Sequence, residues 1–370
     1  MRIKNLVFLL LLILICFGLI HFFDGKLEKK NFDIVKPSVT NLVPEKNSPI
    51  QEILTNLEVP WQILFLPNGN ILITERPGKL VLFDSNRSTR IDVAGVKSIG
   101  EGGLLGAILH PNFSNNEFIY LYYTMQEGTD LTNRIYRYKF DGTSLREETL
   151  ILQGILGSSN HDGGRIAFGP DGFLYITTGD AQNTALSQDI SSLNGKVLRV
   201  TDTGSVPEDN PFVNAVYSYG HRNPQGLAWD EEEHLWLTEH GPSGADSGWD
   251  ELNLIEKGKN YGWPLIKGDM IREDMVAPII NSGSNDTWAP SGAVYYEGKI
   301  FFAGLRGEAL YEFNIATKNL TPHFKNEFGR IRDVALGPDK ALYIVTNNLD
   351  GRGSPGPSDD RLIRIELTSL

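Results

Sequence analysis

A unit of two short apolar strands joined by a polar turn recurs along the chain. The clearest copy has the strands IAF (166–168) and LYIT (174–177) on either side of a Pro-Asp-Gly turn. Apolar residues that alternate on both sides of such a turn predict a β-hairpin. Similar hairpins start at Ile63, Ala107, Leu227, Ala293 and Val334.

A third apolar strand follows most of these hairpins, as in KLVLF (79–83) and KVLRV (196–200). The hairpins start 41 to 66 residues apart, which is near the length of a propeller blade with inserted loops. Long stretches with the 3.6-residue period of helices are missing outside the N-terminus. The pattern therefore predicts an all-β fold, a six-bladed β-propeller, with a β-sandwich of unrelated hairpins as the alternative.

The N-terminus has a different pattern. Arg2 and Lys4 precede a run from Asn5 to Phe23 without a charged residue, close to the roughly 20 apolar residues that cross a bilayer. No A-x-A-like cleavage site follows, so we expect residues 1–23 to be an uncleaved signal anchor rather than a cleaved signal peptide. Lipidation at Cys16 is a third alternative.

The basic residues before this segment place the remaining chain outside the cytoplasm, anchored to the membrane. Residues 24–50 lack periodicity and are expected to be an extracytoplasmic tether. Residues 51–370 would then form the propeller, which contains no cysteine for a disulfide.

The chain is acidic, with a net charge of -12. It has no basic cluster after residue 30 that could follow a phosphate backbone. We therefore expect no nucleic-acid partner.

Polar residues precede the first strand of several hairpins. The innermost strand of each propeller blade lines the central channel, so residues just before these strands should meet at one mouth. The set comprises Glu101, His161, Arg222, Asn223, Arg330 and Arg332, and the blade that starts at Ala293 adds Trp288. Each could alone be a turn or surface residue, but together they predict a site for an anionic ligand with a general base.

Asp180 ends the second strand of the hairpin that His161 precedes. Antiparallel strands bring these ends together, so the carboxylate could accept one imidazole N–H and stabilise the charged ring. Asp162, which adjoins the histidine, is the alternative partner.

The sequence has no His/Cys cluster for a transition metal, and the loop LDGRGSPGPSDD (349–360) lacks the ligand order of an EF-hand. Calcium held by backbone carbonyls would leave almost no trace in a sequence.

Seven motifs occur in an order that resembles a known family. They are GLLGAILHPNF, NHDGGRIAFGPDG, YGHRNPQGLAWD, EHGP, DELNLIEKGKNYGWP, WAPSGA and RIRDVALGPDK. Over residues 50–367 the chain is similar to the soluble glucose/sorbosone dehydrogenases, which use pyrroloquinoline quinone (PQQ), and most of all to the aldose sugar dehydrogenases. That family has a six-bladed propeller fold.

The resemblance implies roles for individual residues. His161 matches the catalytic base and Asp180 its orienting carboxylate, while Arg222 and Asn223 match residues at the reactive carbonyl of PQQ. The backbone carbonyls of two further residues match calcium ligands, and three arginines match partners of the PQQ carboxylates. These are Gly241 and Pro242 for calcium, and Arg306, Arg330 and Arg332 for PQQ.

The chain departs from the glucose enzymes of this family at three positions. Arg306 replaces a lysine, which keeps the charge but changes its geometry. Glu101 stands where a glutamine contacts the sugar, and Asn160 stands where an aspartate precedes the base. These departures leave the sugar unspecified.

The resemblance implies oxidation of an aldose at its anomeric carbon to a lactone, with hydride transfer to PQQ beside calcium and with His161 as the base. The electrons would pass to an extracytoplasmic acceptor. Two alternatives remain, a metal-dependent lactonase or other hydrolase and a non-catalytic propeller that binds protein or glycan.

Overall fold

The computed structural model describes residues 48–244 and 247–370. These residues form six antiparallel sheets of four strands, one sheet for each hairpin unit of the sequence. The predicted all-β, six-bladed propeller is therefore confirmed.

The first three blades run in chain order from the inner to the outer strand. The first contains β2 (Pro60–Phe65), β3 (Ile71–Glu75), β4 (Lys79–Phe83) and β5 (Ser88–Asp92). The second contains β6 (Leu104–Leu109), β7 (Phe118–Glu127), β8 (Asp130–Phe140) and β9 (Leu145–Leu156). The third contains β10 (Ile166–Phe168), β11 (Leu174–Thr178), β12 (Lys196–Val200) and β13 (Val216–Tyr219).

The fourth and fifth blades repeat this order, and the sixth takes its outer strand from the other end of the chain. The fourth contains β14 (Pro224–Trp229), β15 (Leu235–Glu239), β16 (Glu251–Ile255) and β17 (Ile280–Asn281). The fifth contains β18 (Pro290–Tyr296), β19 (Lys299–Gly304), β20 (Ala309–Asn314) and β21 (Leu320–His323). The sixth contains β22 (Ile331–Leu336), β23 (Leu342–Thr346), β24 (Leu362–Ile365) and β1 (Ile50–Leu54).

Helical structure among the described residues is confined to single turns between or after strands. These are Phe113–Asn116, Ala185–Gln188 and a 3-10 turn at Leu367–Ser369.

The strand β1 closes the ring. It pairs antiparallel with β24, so that Ile50 lies opposite Ile365 and Gln51 opposite Arg364. The first and last parts of the propeller are thereby joined by backbone hydrogen bonds. This strand begins one residue before the predicted start of the propeller domain.

The predicted anchor (residues 1–23) and nearly all of the predicted tether (24–50) lie outside the described residues. Within residues 48–244 and 247–370, no helix has the length and apolar character needed to cross a membrane.

The hydrophobic core lies between neighbouring blades. Where the second blade packs on the third, Tyr120 and Ile135 meet Ile176 and Leu198, all fully buried. Burying an aliphatic side chain of this size stabilises a fold by roughly 1.5–3 kcal/mol. These buried residues are the apolar positions that produced the hairpin pattern in the sequence.

A buried ion pair crosses the central channel. The Nη1 of Arg165, just before β10, lies 3.0 Å from Oδ1 of Asp333 in β22. The other carboxylate oxygen of Asp333 accepts the N–H of Ile63 in β2 at 2.8 Å. The Arg165 guanidinium also lies 4.2 Å from the centre of the Trp61 ring. These contacts fix the inner strands of the first, third and sixth blades to one another.

Lys196 holds the loop that follows Asp180. Its side chain is fully buried at the start of β12, and its ammonium donates to the carbonyl oxygens of Leu186, Ser187 and Asn194 at 2.7, 3.1 and 2.6 Å. Burial lowers the pKa of this lysine to about 7. The Leu186 and Ser187 carbonyls also accept the N–H of Asp189 and of Gly220, whereas among the described residues the Asn194 carbonyl accepts only from Lys196.

We expect Lys196→Met to lower the free energy of unfolding by about 1–3 kcal/mol, because it leaves the buried Asn194 carbonyl without a donor and removes one donor from each of the other two. Urea unfolding followed by tryptophan fluorescence measures the change. Lys139→Met is the matched control, since that lysine is exposed on β8 and pairs with Glu147. Equal stability of the two variants would contradict this role for Lys196.

Candidate active site

A cavity of about 470 Å³ opens at one mouth of the central channel. Most residues that the sequence predicted for the site line it; the exceptions are Asp180, which lies behind His161, and Trp288. The predicted residues that line the cavity are Glu101, His161, Arg222, Asn223, Gly241, Pro242, Arg306, Arg330 and Arg332. The blade geometry thus brings together residues that lie up to 231 positions apart in the chain.

His161 and Asp180 form a hydrogen-bonded pair. The imidazole Nδ1 lies 2.7 Å from the carboxylate Oδ1, and Asp180 is fully buried. An ionised aspartate accepts a proton from Nδ1, which leaves Nε2 of the ring as a proton acceptor. Among the residues described, none hydrogen-bonds to this Nε2. The pair has the geometry of a general base with its orienting carboxylate.

Asp162, the alternative partner, does not contact the imidazole. Its Oδ1 accepts hydrogen bonds from the Asn133 side chain at 2.9 Å and the Ser158 N–H at 3.1 Å. Burial raises the pKa of Asp162 to about 6. Asp162 is therefore a buried residue that fixes the loop at Ser158.

The backbone around His161 explains the glycine before Asp180. His161 has a left-handed conformation with φ of 64°, which is uncommon for a residue with a side chain. Its carbonyl oxygen passes so close to Gly179 that a Cβ there would lie 1.8 Å from it. Only glycine at position 179 permits this approach, which sets the imidazole against the Asp180 carboxylate.

Glu101 forms a polar bridge beside the base. Its Oε2 accepts the N–H of His161 at 3.0 Å and the amide of Asn223 at 3.4 Å. Its Oε1 accepts from Arg352 at 2.7 Å.

Burial disfavours the charged form of Glu101, but His240, the His161 N–H and Arg352 outweigh burial and hold the pKa of this carboxyl at about 2. Burial also lowers the pKa of His240 to about 3, so that ring is uncharged near neutral pH. The His161 N–H and Arg352 are therefore the partners that keep Glu101 ionised there.

Arg222 connects the His161–Asp180 pair to the fourth blade. Its carbonyl accepts the N–H of Asp180 at 2.8 Å, and its guanidinium donates to the Ser243 hydroxyl at 2.9 Å. The guanidinium also lies 5.4 Å from the centre of the Trp263 ring. The indole N–H of Trp263 donates to Asp180 Oδ2 at 2.9 Å. Both oxygens of Asp180 therefore have fixed donors.

The arginines predicted to bind an anion differ in their partners. Arg330 pairs with Asp350, whose Oδ2 lies 2.8 Å from Nη2. Arg332 contacts neutral groups, including Gln225 Oε1 at 2.7 Å, and its Nε is buried without a partner. Burial lowers the pKa of Arg332 to about 9. The side chain of Arg306 is exposed, and no described residue hydrogen-bonds to it.

The predicted calcium ligands lie on a turn held by Asp250. The Asp250 Oδ1 accepts the Gly241 N–H at 2.8 Å, while Oδ2 accepts the N–H of Trp288 at 2.7 Å and of Ala289 at 2.9 Å. In the described part of the chain, nothing donates a hydrogen bond to the carbonyls of Gly241 or Pro242. Both oxygens are therefore available to another ligand.

Side-chain metal sites were sought in the same residues. Residues 48–244 and 247–370 contain no group of three or more His, Cys, Asp or Glu side chains placed to hold a metal ion.

The sequence missed several residues of the site and misplaced one. Arg352 and His240 line the cavity, and Trp263 holds Asp180. His240 and Trp263 lie in the motifs EHGP and NYGWP, but neither was assigned a role, and no pattern marked Arg352. Trp288 does not line the mouth as expected. Its side chain is buried between blades, where it packs 5.6 Å from Phe302. Its large apolar surface favours that core over a polar cavity.

Comparisons with known proteins agree with this fold. Residues 57–363 match the family described as glucose/sorbosone dehydrogenase. The aldose sugar dehydrogenase YliI of Escherichia coli is 32% identical over 340 residues, which cover 82% of this chain and 91% of that protein. Quinoprotein glucose dehydrogenase B of Acinetobacter calcoaceticus is 36% identical over 269 residues, 63% of this chain and 55% of its own length.

A solved structure of the PQQ-bound form of aldose sugar dehydrogenase from Streptomyces coelicolor has the same fold. It matches with a TM-score of 0.79 and 40% identity, over 85% of this chain and 96% of that one. Because the family match extends from before β2 into β24 and so includes all six blades, this chain belongs to the glucose/sorbosone dehydrogenase family.

Proposed function

We propose that this protein oxidises aldose sugars at the anomeric carbon to lactones, with PQQ as cofactor and calcium beside it. Membership of the family supports sugar oxidoreductase activity in general. The observation that carries the finer proposal is the His161–Asp180 pair, 2.7 Å apart, at a cavity that five arginines also line.

The cavity suits PQQ in charge and size. PQQ carries three carboxylates, and arginine binds carboxylates through two parallel hydrogen bonds. Arg306 has a free guanidinium among the described residues, and Arg332 has an unpartnered Nε. Arg330 could share a carboxylate of the cofactor with Asp350. A volume of about 470 Å³ is within the range of cofactor pockets.

The Gly241–Pro242 turn suits calcium. Calcium prefers oxygen ligands and accepts backbone carbonyls. The two carbonyls of this turn lack hydrogen-bond donors among the described residues, and Asp250 fixes the turn from the other side. When bound, PQQ supplies a carbonyl carbon that accepts the hydride, and calcium polarises that carbonyl.

His161 would act as the general base of the reaction. Its Nε2 would take the proton from the anomeric hydroxyl, and the Asp180 carboxylate would stabilise the resulting imidazolium. Arg222 would stabilise the negative charge that develops on the carbonyl oxygen of the cofactor. Such an effect is worth about 3–4 kcal/mol for a well-placed donor. Glu101 would accept a hydrogen bond from a hydroxyl of the sugar.

Continued turnover needs an electron acceptor. We propose that this acceptor lies outside the cytoplasm, on the side where the N-terminal charge pattern places the enzyme.

The first test is reconstitution of the purified protein, prepared without cofactor. We expect dye reduction by aldoses to require both PQQ and calcium, and His161→Ala to lower kcat by about 10²- to 10⁴-fold through loss of the base. PQQ binding, measured by titration in the same samples, should change little.

His234→Ala is the control for this test, because His234 is half exposed on the turn after β14. Failure of the wild-type protein to bind PQQ would refute the proposed cofactor. Full activity of His161→Ala would refute the proposed base.

A second test compares the two aspartates near the base. Asp180→Asn removes the charge that stabilises the imidazolium, so kcat should fall at least about 10-fold with the Kd for PQQ nearly unchanged. Asp162→Asn should have a smaller effect on kcat, since Asp162 does not contact the ring. The reverse order would make Asp162 the orienting residue. Thermal unfolding of both variants checks that the fold is retained.

A third test concerns the exposed arginine. We expect Arg306→Ala to raise the Kd for PQQ by about 10-fold or more, because a charge-assisted contact with a carboxylate is lost. Arg306→Lys should retain part of the affinity. The Kd is measured by fluorescence titration with PQQ. Arg87→Ala serves as the control, because that side chain follows β4 and is 81% exposed. An unchanged Kd for Arg306→Ala would exclude this residue from the cofactor site.

A further inference from the structure

The loop between β23 and β24 extends over the mouth of the channel. We call its residues Leu349–Gly353 the mouth arm. Two side chains of this arm reach different parts of the cavity wall. Asp350 accepts from Nε and Nη2 of Arg330 at 3.2 and 2.8 Å. Arg352 donates from Nη1 to Glu101 and from Nη2 to Asn160, at 2.7 and 2.9 Å.

Contacts at the base of the mouth arm hold it in place. A Cβ at Gly353 would lie 2.7 Å from Cα of Asn348 and 2.9 Å from Cδ of Arg330, so the chain passes directly against both residues. The N–H of Arg352 donates to Oδ1 of Asp350 at 2.9 Å. The position of the Arg352 side chain is therefore defined by the sixth blade.

Arg352 joins three blades at the end of the cavity that contains the base. It comes from the sixth blade, Glu101 precedes the second, and Asn160 precedes the third. The Glu101 oxygen that does not face Arg352 accepts the N–H of His161, whose φ is 64°. Arg352 thus orients the carboxylate that holds the backbone of the base.

The guanidinium of Arg352 is also open to a ligand. Its side chain is 53% exposed, against 15% for Glu101, and both residues line the cavity with Asn160. Its Nε has no partner among the described residues. Beside His161 the wall therefore offers N–H donors from Arg352 next to acceptor oxygens of Glu101. Neighbouring hydroxyl groups on a sugar, each both donor and acceptor, match such a wall.

We propose that Arg352 determines sugar specificity, by fixing Glu101 and by donating to hydroxyl groups adjacent to the carbon that is oxidised. This inference rests on the proposed function. A site built to hydrogen-bond a hydroxyl discriminates strongly against an analogue that lacks it, because its own polar groups are then left unpaired.

The test measures kcat and KM of the PQQ-loaded enzyme for D-glucose, D-mannose and 2-deoxy-D-glucose. We expect Arg352→Ala to raise KM for D-glucose by about 10-fold or more, with a smaller change in kcat. The ratio of kcat/KM between D-glucose and 2-deoxy-D-glucose should move toward one. Arg352→Lys should lie between, because lysine keeps the charge without the planar pair of donors.

The matched control is Arg364→Ala. Arg364 also belongs to the sixth blade and pairs with a carboxylate, Asp339 at 2.6 Å, but it does not line the cavity. Arg364→Ala should leave kcat and KM for all three sugars unchanged. PQQ titration accompanies each variant, and Arg352→Ala should keep the wild-type Kd within about 2-fold. A loss of PQQ affinity as large as the rise in KM would make Arg352 a cofactor ligand and overturn the inference.

A readout without sugar or cofactor tests the contact through Glu101. Hydrogen–deuterium exchange of a peptide containing His161 should be faster in Arg352→Ala than in wild type and Arg364→Ala, because Glu101, the acceptor of the His161 N–H, is no longer held by Arg352. Unchanged exchange would overturn the orienting role of Arg352.

The activity results separate the two proposals. If wild type binds PQQ but oxidises neither these sugars nor any other aldose of a wider panel, the proposed function is wrong and the specificity role falls with it. If wild type is active and Arg352→Ala keeps every ratio between sugars, only the specificity inference is wrong.

Discussion

Closure of the ring by β1 is the constraint on which the site depends. A propeller blade packs only on its two neighbours, so a residue at one mouth is fixed relative to another only when the circle is complete. The hydrogen bonds of β1 to β24 complete it from the first described strand to the last. The sixth blade, which this pairing finishes, carries Arg330, Arg332 and the mouth arm. Its closure therefore also sets the distance from these arginines to His161 on the third blade.

The buried polar groups of the channel lower the stability of the fold, and other parts of the propeller offset this loss. Arg332 is buried among neutral partners, and its Nε has no partner at all. Such groups destabilise a protein unless a ligand completes their hydrogen bonds. The apolar layers between blades contribute the compensating free energy of folding. Two of these unpartnered atoms, Nε of Arg332 and Nε2 of His240, belong to residues that line the mouth, where a ligand could satisfy them.

The sequence predicted the inner three strands of the blades well and the outer strands poorly. Inner strands such as β11 and β12 are buried along their whole length, so they appear as short apolar runs. The outer strand β5 is mostly exposed, and its sequence STRID has no apolar alternation. The closing strand β1 began inside the predicted tether for the same reason, since its burial is only partial.

The same reasoning separates the site residues that could be predicted from those that could not. His161 and Asp180 lie at the ends of one hairpin, and their contact follows from antiparallel pairing alone. The contact of Arg352 with Glu101 spans 251 residues and depends on the path of an irregular loop. Strand periodicity predicts where a blade begins, but it contains no information on how far a loop reaches over the mouth.

The placement of charge has a consequence for how ligands reach the cavity. The chain as a whole carries -12, whereas five arginines surround one opening. At physiological ionic strength the repulsion by distant carboxylates is screened beyond about 8 Å. An approaching anion therefore interacts mainly with the charges at the opening. There, a small ion with one charge can engage one or two guanidinium groups, while a rigid anion with several carboxylates can engage more of them at once. Such an opening would favour a ligand with several carboxylates over the monovalent anions of its surroundings.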